Sequence, residues 1–140
     1  MNKEIKQLPK EIDKIIDSYF PYKKLISIPP DDFLVHYLNF MGVYILYSAK
    51  TILYIGNSGN IGRRLERHFY NGNYRNEITD IDIIRFTAQY NSMGIEAKLI
   101  EQFKPLYNKT NHYLRSSYPS SLEFDFYEIK EKIKKRLGIK

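Results

Sequence analysis

The chain contains no cysteine and no tryptophan. Without cysteine, disulfide scaffolds, thiol catalysis, zinc knuckles and iron–sulfur centres are excluded together, and a reducing compartment is the expected setting. Nowhere does the chain hold the roughly 20 consecutive apolar residues needed to span a bilayer. The N-terminal stretch MNKEIKQLPKEID lacks the apolar core of a secretory leader. A soluble, cytoplasmic protein with no membrane partner is expected. Internal repeats, low-complexity tracts and Gly/Ser linkers are also missing, and 140 residues leave no room for a second full domain.

What is present is an excess of positive charge, Lys+Arg 22 against Asp+Glu 16, which favours a polyanionic partner. The excess is local. Residues 1–41 carry six bases and six acids, 42–75 five and one, 76–121 five and five, and 122–140 six and four. Hydrophobic residues make up 43%, enough for a core.

Pro9 opens a helix over residues 9–20 with Ile12, Ile15, Ile16 and Tyr19 at helical spacing, ended by Pro21. Residues 22–40 read as irregular around Pro29-Pro30-Asp31-Asp32, with a short helix from Asp32 to Asn39. Val43–Tyr47 and Thr51–Ile55 are β-rich runs joined by Ser48-Ala49-Lys50, a hairpin with a three-residue loop. Gly56-Asn57-Ser58-Gly59 reads as a turn, and Asn60 caps a helix to about Tyr70. Ile81–Phe86 is a third strand. Asn91 or Ser92 caps a helix to about Phe103, stopped by Pro105. A last amphipathic helix covers residues 124–137.

Three places depart from a plain core pattern. In the helix after Asn60, Ile61, Leu65 and Phe69 form the apolar stripe, Arg64 and His68 lie along its edge, and Arg63 and Arg67 point away. The three arginines read either as a solvated basic face or as an anion site. His68 by itself reads as a structural histidine. In the helix after Ser92, Glu96 falls inside the stripe of Ile95, Leu99, Ile100 and Phe103, while Glu101 faces solvent. A carboxylate there must be paired, protonated or metal-bound, so a salt bridge with Arg64 and a metal or catalytic role both remain open. In the hairpin, the three-residue loop sets Tyr44 opposite Tyr54 on one face, as core packing or as part of a site.

Gly42-Val43-Tyr44, then Tyr54-Ile55-Gly56 with its tyrosine ten residues after Tyr44, then Arg64, His68, Glu96 and Asn108 of Lys104-Pro105-Leu106-Tyr107-Asn108 resemble the GIY-YIG nuclease superfamily. The resemblance covers about half the chain. Val43 stands where isoleucine is usual, a conservative β-branched exchange. It implies an α+β fold, a small three-stranded antiparallel sheet flanked by helices, over residues 40–111. Residues 1–39 would be an N-terminal helical extension, and residues 112–140 a loop and a basic amphipathic helix.

The resemblance further implies phosphodiester cleavage with one divalent metal ion, Mg²⁺ or Mn²⁺, held by Glu96. Arg64 would stabilise the phosphate's developing charge, and Tyr44 would activate water. Tyr54 and His68 would position water or phosphate. Which of these three groups takes the proton stays open. Arg63, Arg67, Lys50 and Asn57 are assigned to nucleic-acid contact, and Gly56 and Asn108 to structure.

The expected function is a divalent-metal-dependent DNA endonuclease of low or structure-directed specificity, serving repair, recombination or mobile-element and phage DNA processing. The alternative is a catalytically inactive nucleic-acid-binding module. About 40 residues precede the core and 30 follow it, which favours this over a restriction or homing enzyme and leaves a targeting protein partner open, as is the choice of monomer or homodimer. The last helix, with Lys130, Lys132, Lys134, Lys135 and Arg136, reads equally as a phosphate-tracking or a merely soluble face.

Overall fold

The structure, a computed structural model, describes residues 26–28, 38–86, 89–108 and 123–139. The helix expected at residues 9–20, and all but the end of the short one from Asp32, lie outside these. In chain order the elements are β1 (Ile26–Ile28), β2 (Gly42–Ser48), β3 (Thr51–Ser58), α1 (Ile61–Asn71), β4 (Asp80–Arg85), α2 (Gln89–Phe103) and α3 (Glu123–Leu137), with a 3₁₀ turn at Arg75–Glu77.

All pairings are antiparallel, in the strand order β1-β4-β2-β3. Strands β2, β3 and β4 are the three expected. Strand β1 is a correction, because it comes from a segment that reads as irregular. It pairs Ile26, Ser27 and Ile28 with Ile83, Asp82 and Ile81 on the outer edge of β4. The outer edge of β4 has backbone groups to satisfy, and the three residues of β1 meet that need.

The sheet is covered on both faces, which is why β2 reads as a nearly continuous apolar run. Tyr44, Leu46, Ile81 and Ile83 pack with Ile61 and Leu65 of α1. Val43, Ile45, Tyr47 and Ile84 face the other way, against Ile95 and Leu99 of α2 and Ile129 and Ile133 of α3. Alternation along β2 therefore assigns successive residues to two separate cores.

The hairpin register corrects the expectation in detail. The loop has two residues, with Ala49 in the left-handed region at φ 53° and Ser48 paired with Thr51. That register, continued, would turn Tyr54 to the face away from Tyr44. An irregularity follows: Tyr47 pairs with Ile52 and Leu46 with Tyr54, leaving Leu53 as the extra residue of a bulge. The bulge restores the parity, so Tyr44 opposes Gly56, not Tyr54, and the two tyrosines are diagonal neighbours on one face. Beyond them β3 runs through Asn57 and Ser58, which the sequence places in a turn. Helix α2 likewise starts at Gln89, so Asn91 and Ser92 lie inside its first turn and do not precede it.

The outer edge of β3 is closed by the chain after α2. Leu106 and Tyr107 donate backbone N–H bonds to the carbonyls of Ile52 and Leu53 at 3.1 and 2.8 Å. The Asn108 side chain accepts from Ile55 N and donates to Ile55 O, both at 2.9 Å. Its amide thus imitates a strand residue.

Helix α3 is pinned by charge as well as by its isoleucines. Arg136 reaches Asp80 and the fully buried Asp82, each at 3.4 Å. It also lies over the Tyr47 ring, 4.5 Å from the centroid, and Tyr47 donates its hydroxyl proton to Asp82 at 2.7 Å. Arg136 is therefore committed to the fold and is not free to track phosphates. Arg136→Met is expected to lower stability by about 3 kcal/mol, because it takes the guanidinium's counter-charge from a buried carboxylate. Adding Asp82→Asn should recover part of that loss. Urea unfolding of the two variants measures both, and a single variant as stable as the wild type would show that the pair contributes nothing.

Candidate active site

The site lies where β2 begins and β3 ends. Two glycines make the approach of these strands feasible. A Cβ on Gly56 would collide with the Tyr44 phenol, and one on Gly42 with the Ile84 carbonyl of β4. Gly56 leaves the space that lets the Tyr44 ring lie across the neighbouring strand.

On the α1 side, Tyr44 is fully buried and its hydroxyl lies 3.0 Å from Nε2 of His68. The rings of Tyr44 and Tyr54 stack with centroids 6.0 Å apart, and Tyr54 and His68 are 5.1 Å apart. Asn60 caps α1, its side chain accepting from Arg63 N at 3.0 Å. The N–H groups of Ile61 and Gly62 donate to the carbonyls of Phe40 and Leu38 at 2.9 and 2.7 Å. These bonds anchor the first turn, and with it the helix that carries Arg64 and, a turn later, His68.

On the α2 side, Glu96 is buried, 6% exposed. Its hydrogen bond from Asn57 Nδ2 is long, at 3.5 Å, and no ion pair within 4 Å reaches it among the described residues. The salt bridge to Arg64, one of the open readings, is therefore not formed. Glu101 is exposed, as expected.

Electrostatics connect the two sides through Arg64. Burial pushes the Glu96 carboxyl up to about 7, opposed by the Asn57 hydrogen bond and by Arg64. Burial, reinforced by Arg64, pushes His68 down to about 4. Burial and then Tyr54 hold Tyr44 well above the usual phenol value, and Arg64 works against them. The field of Arg64 is felt by all three groups, but desolvation wins at Tyr44, which stays protonated at neutral pH.

Arg64, Tyr44, Tyr54, His68 and Glu96 are thus brought to one end of the sheet. Arg63, Arg64 and Arg67 are all exposed on α1, and of the three only Arg64 has a field that reaches Tyr44, His68 and Glu96. Asn57, expected at nucleic acid, is directed at Glu96. Lys50 is not brought in: it sits in the hairpin loop at the far end of β3, roughly 20 Å away by strand rise, with its Nζ close to Gly138 after α3. Charge alone suggests Lys50, and the hairpin separates it from the cluster.

Two more aromatic residues join the site without being candidates from the sequence. Tyr74 Oη lies 3.5 Å from Nδ1 of His68, opposite Tyr44. Tyr107 stacks on Tyr74 with centroids 4.5 Å apart and donates to both carboxylate oxygens of Glu77 at 3.0 and 2.9 Å. Both sit in loops, where no periodicity marks them, although Tyr107 immediately precedes the asparagine of the motif.

His68 has a consequence for folding. Between pH 6.5 and about 4 the unfolded chain takes up a proton at this histidine and the folded chain does not. Its contribution is therefore intact above pH 6.5 and is lost as pH falls through that window. Glu96, whose folded value is raised, acts with the opposite sign between pH 4.5 and about 7. The difference in urea midpoint between wild type and His68→Gln, measured in a chelator from pH 4 to 7.5, should shift against the wild type as pH falls from 6.5 to 4. A constant difference would show that His68 titrates normally.

Comparison with known proteins finds similarity over one region of the chain. Residues 41–109 match the model of the UvrC-like GIY-YIG domain. UvrABC system protein C of Borrelia duttonii (strain Ly) is 34% identical over 74 residues, 48% of this chain and 12% of that protein. The protein of the same name from Prosthecochloris aestuarii is 31% identical over 96 residues, 63% of this chain and 14% of the relative. The chain thus spans about an eighth of the length of these relatives. Among solved structures, the magnesium-bound GIY-YIG N-terminal endonuclease domain of UvrC from Thermotoga maritima has 21% identity and a TM-score of 0.48, covering 78% of this chain and 100% of that one.

Proposed function

From the match of residues 41–109 to the UvrC-like GIY-YIG domain, we propose that the chain is a GIY-YIG nuclease, a divalent-metal-dependent DNA endonuclease. The observation that carries the reading is the pair formed by Glu96 and Arg64. One is a buried carboxylate with no ion-pair partner among the described residues, the other a cation whose field reaches it and the Tyr44–His68 pair.

The donor set fits a divalent ion. Among the described residues no three His, Cys, Asp or Glu side chains converge, so the ion would be held by Glu96 and keep most of its waters, as Mg²⁺ does. When bound, it would supply positive charge to a phosphate oxygen and restore Glu96 to its ionised form. The same site accepts Mn²⁺ by the same chemistry.

The remaining steps belong to the chain's own side chains. Arg64 donates to the phosphate and stabilises the charge that grows on it during attack. Tyr44, protonated in the resting site, takes a proton from the attacking water as it passes its own to His68 Nε2, 3.0 Å away. His68, uncharged at neutral pH, has a free ring nitrogen to receive it. Burial and Arg64 make it a weak base, so it gives the proton on to the leaving oxygen as the bond from phosphorus to that oxygen breaks. Tyr54, stacked on Tyr44, limits the angles at which water can approach. Arg63 and Arg67 bind the backbone of the duplex, which carries the same phosphates whatever the sequence. Low-specificity or structure-directed cutting, and a place in repair, recombination or mobile-element and phage DNA processing, are part of the same proposal.

The test is incubation of the purified chain with duplex, branched and single-stranded DNA and RNA, with Mg²⁺, with Mn²⁺ and with EDTA. Cleavage of DNA that EDTA abolishes is the expected result. Binding without cleavage in every metal condition would make the chain a nucleic-acid-binding module instead.

A further inference from the structure

Helix α2 carries a second polar side chain on the face of Glu96. Ser92 is fully buried, and its hydroxyl is, among the described residues, the one buried side-chain polar atom with no hydrogen-bond partner. A serine inside a helix commonly bonds the carbonyl four residues back, and this one does not. Such a group is costly in a fold, and alanine at this position would be the better helix former.

Its position accounts for it. Ser92 stands four residues before Glu96, so the two share a helix face with Cβ atoms about 5–6 Å apart. Helical side chains lean towards the N-terminus, which carries the Glu96 carboxylate over the turn that holds Ser92. Asn57 approaches Glu96 Oε1 from β3 at 3.5 Å. The carboxylate thus meets one neutral polar group from the sheet, while the Ser92 hydroxyl, one turn back on the same helix face, lies outside hydrogen-bond range of it.

We infer that the Ser92 hydroxyl is a further polar contact of the cation site at Glu96, one that holds a water of the divalent ion. The inference rests on the reading of Glu96 as the metal ligand. It is a site with a single protein carboxylate that most needs such contacts, because the waters the ion retains must be oriented by neutral groups around it.

The test uses the full chain and Mn²⁺ alone. Binding is measured by isothermal titration calorimetry, and Tm is measured separately in EDTA, for wild type, Ser92→Ala and Glu96→Gln. Ser92→Ala is expected to weaken Mn²⁺ binding about 10-fold while its metal-free Tm is equal to or above that of the wild type. Glu96→Gln is expected to lose saturable Mn²⁺ binding. If Ser92→Ala binds Mn²⁺ as the wild type does while Glu96→Gln does not, the Ser92 assignment falls and the reading of Glu96 stands. A lowered metal-free Tm in Ser92→Ala also overturns the assignment, since the hydroxyl then serves the fold. If Glu96→Gln binds as the wild type does, or the wild type shows no saturable binding, the reading of Glu96 falls and takes the inference with it.

Discussion

Glu96→Gln is expected to abolish DNA cleavage while leaving the folded structure and DNA binding nearly intact. The substitution keeps the size of the side chain and its place against Asn57, but a neutral amide cannot supply the charge that holds a divalent ion. Loss of metal assistance removes several kcal/mol of transition-state stabilisation. At about 1.4 kcal/mol per tenfold, turnover falls by about three orders of magnitude or more. The metal-free fold should not suffer, because burial already disfavours the charged carboxylate there. Glu101→Gln, on the exposed side of the same helix, is the control and should cut normally. Single-turnover cleavage assays with both variants decide the point, and a Glu96→Gln protein that cuts at the wild-type rate would refute the assignment.

Arg64→Ala should lower turnover by about 10³-fold, the scale set by removing a charged donor from a developing oxyanion. The three neighbouring arginines of α1 differ in what they reach. Arg64 acts on Tyr44, His68 and Glu96 together, whereas the field of neither Arg63 nor Arg67 is among the causes that shift those groups. Arg63→Ala and Arg67→Ala are accordingly expected to weaken DNA binding and to reduce its salt dependence by about one counterion each. Arg64→Lys should not restore the rate, since an ammonium cannot offer the planar fork of two parallel donors. Greater loss of turnover in Arg67→Ala than in Arg64→Ala would show that α1 presents a different face to the substrate.

Much of this site is legible in the amino-acid sequence, because its carriers lie on elements whose periods are local. Glu96 is out of place among Ile95, Leu99 and Ile100, and Arg64 and His68 fall together along one helix edge. The paired apolar runs mark the hairpin, and Asn60 announces α1. Each of these signals arises within a few residues of chain, where spacing alone dictates which side chains share a face.

Tertiary structure decided what depends on residues far apart in the chain. The face shared by Tyr44 and Tyr54 comes from a two-residue turn followed by a bulge at Leu53, two irregularities whose effects on parity cancel. The bond of Asn108 to Ile55, the approach of Tyr74 to His68 and the capture of Arg136 by Asp82 join segments that no local pattern connects. The proton affinities of Glu96, His68 and Tyr44 follow from burial, which depends on how the layers close. Local sequence determined which residues could form the site and on which elements they ride. Packing of both helical layers on the sheet determined how they meet, because desolvation and strand register are properties of the assembled chain.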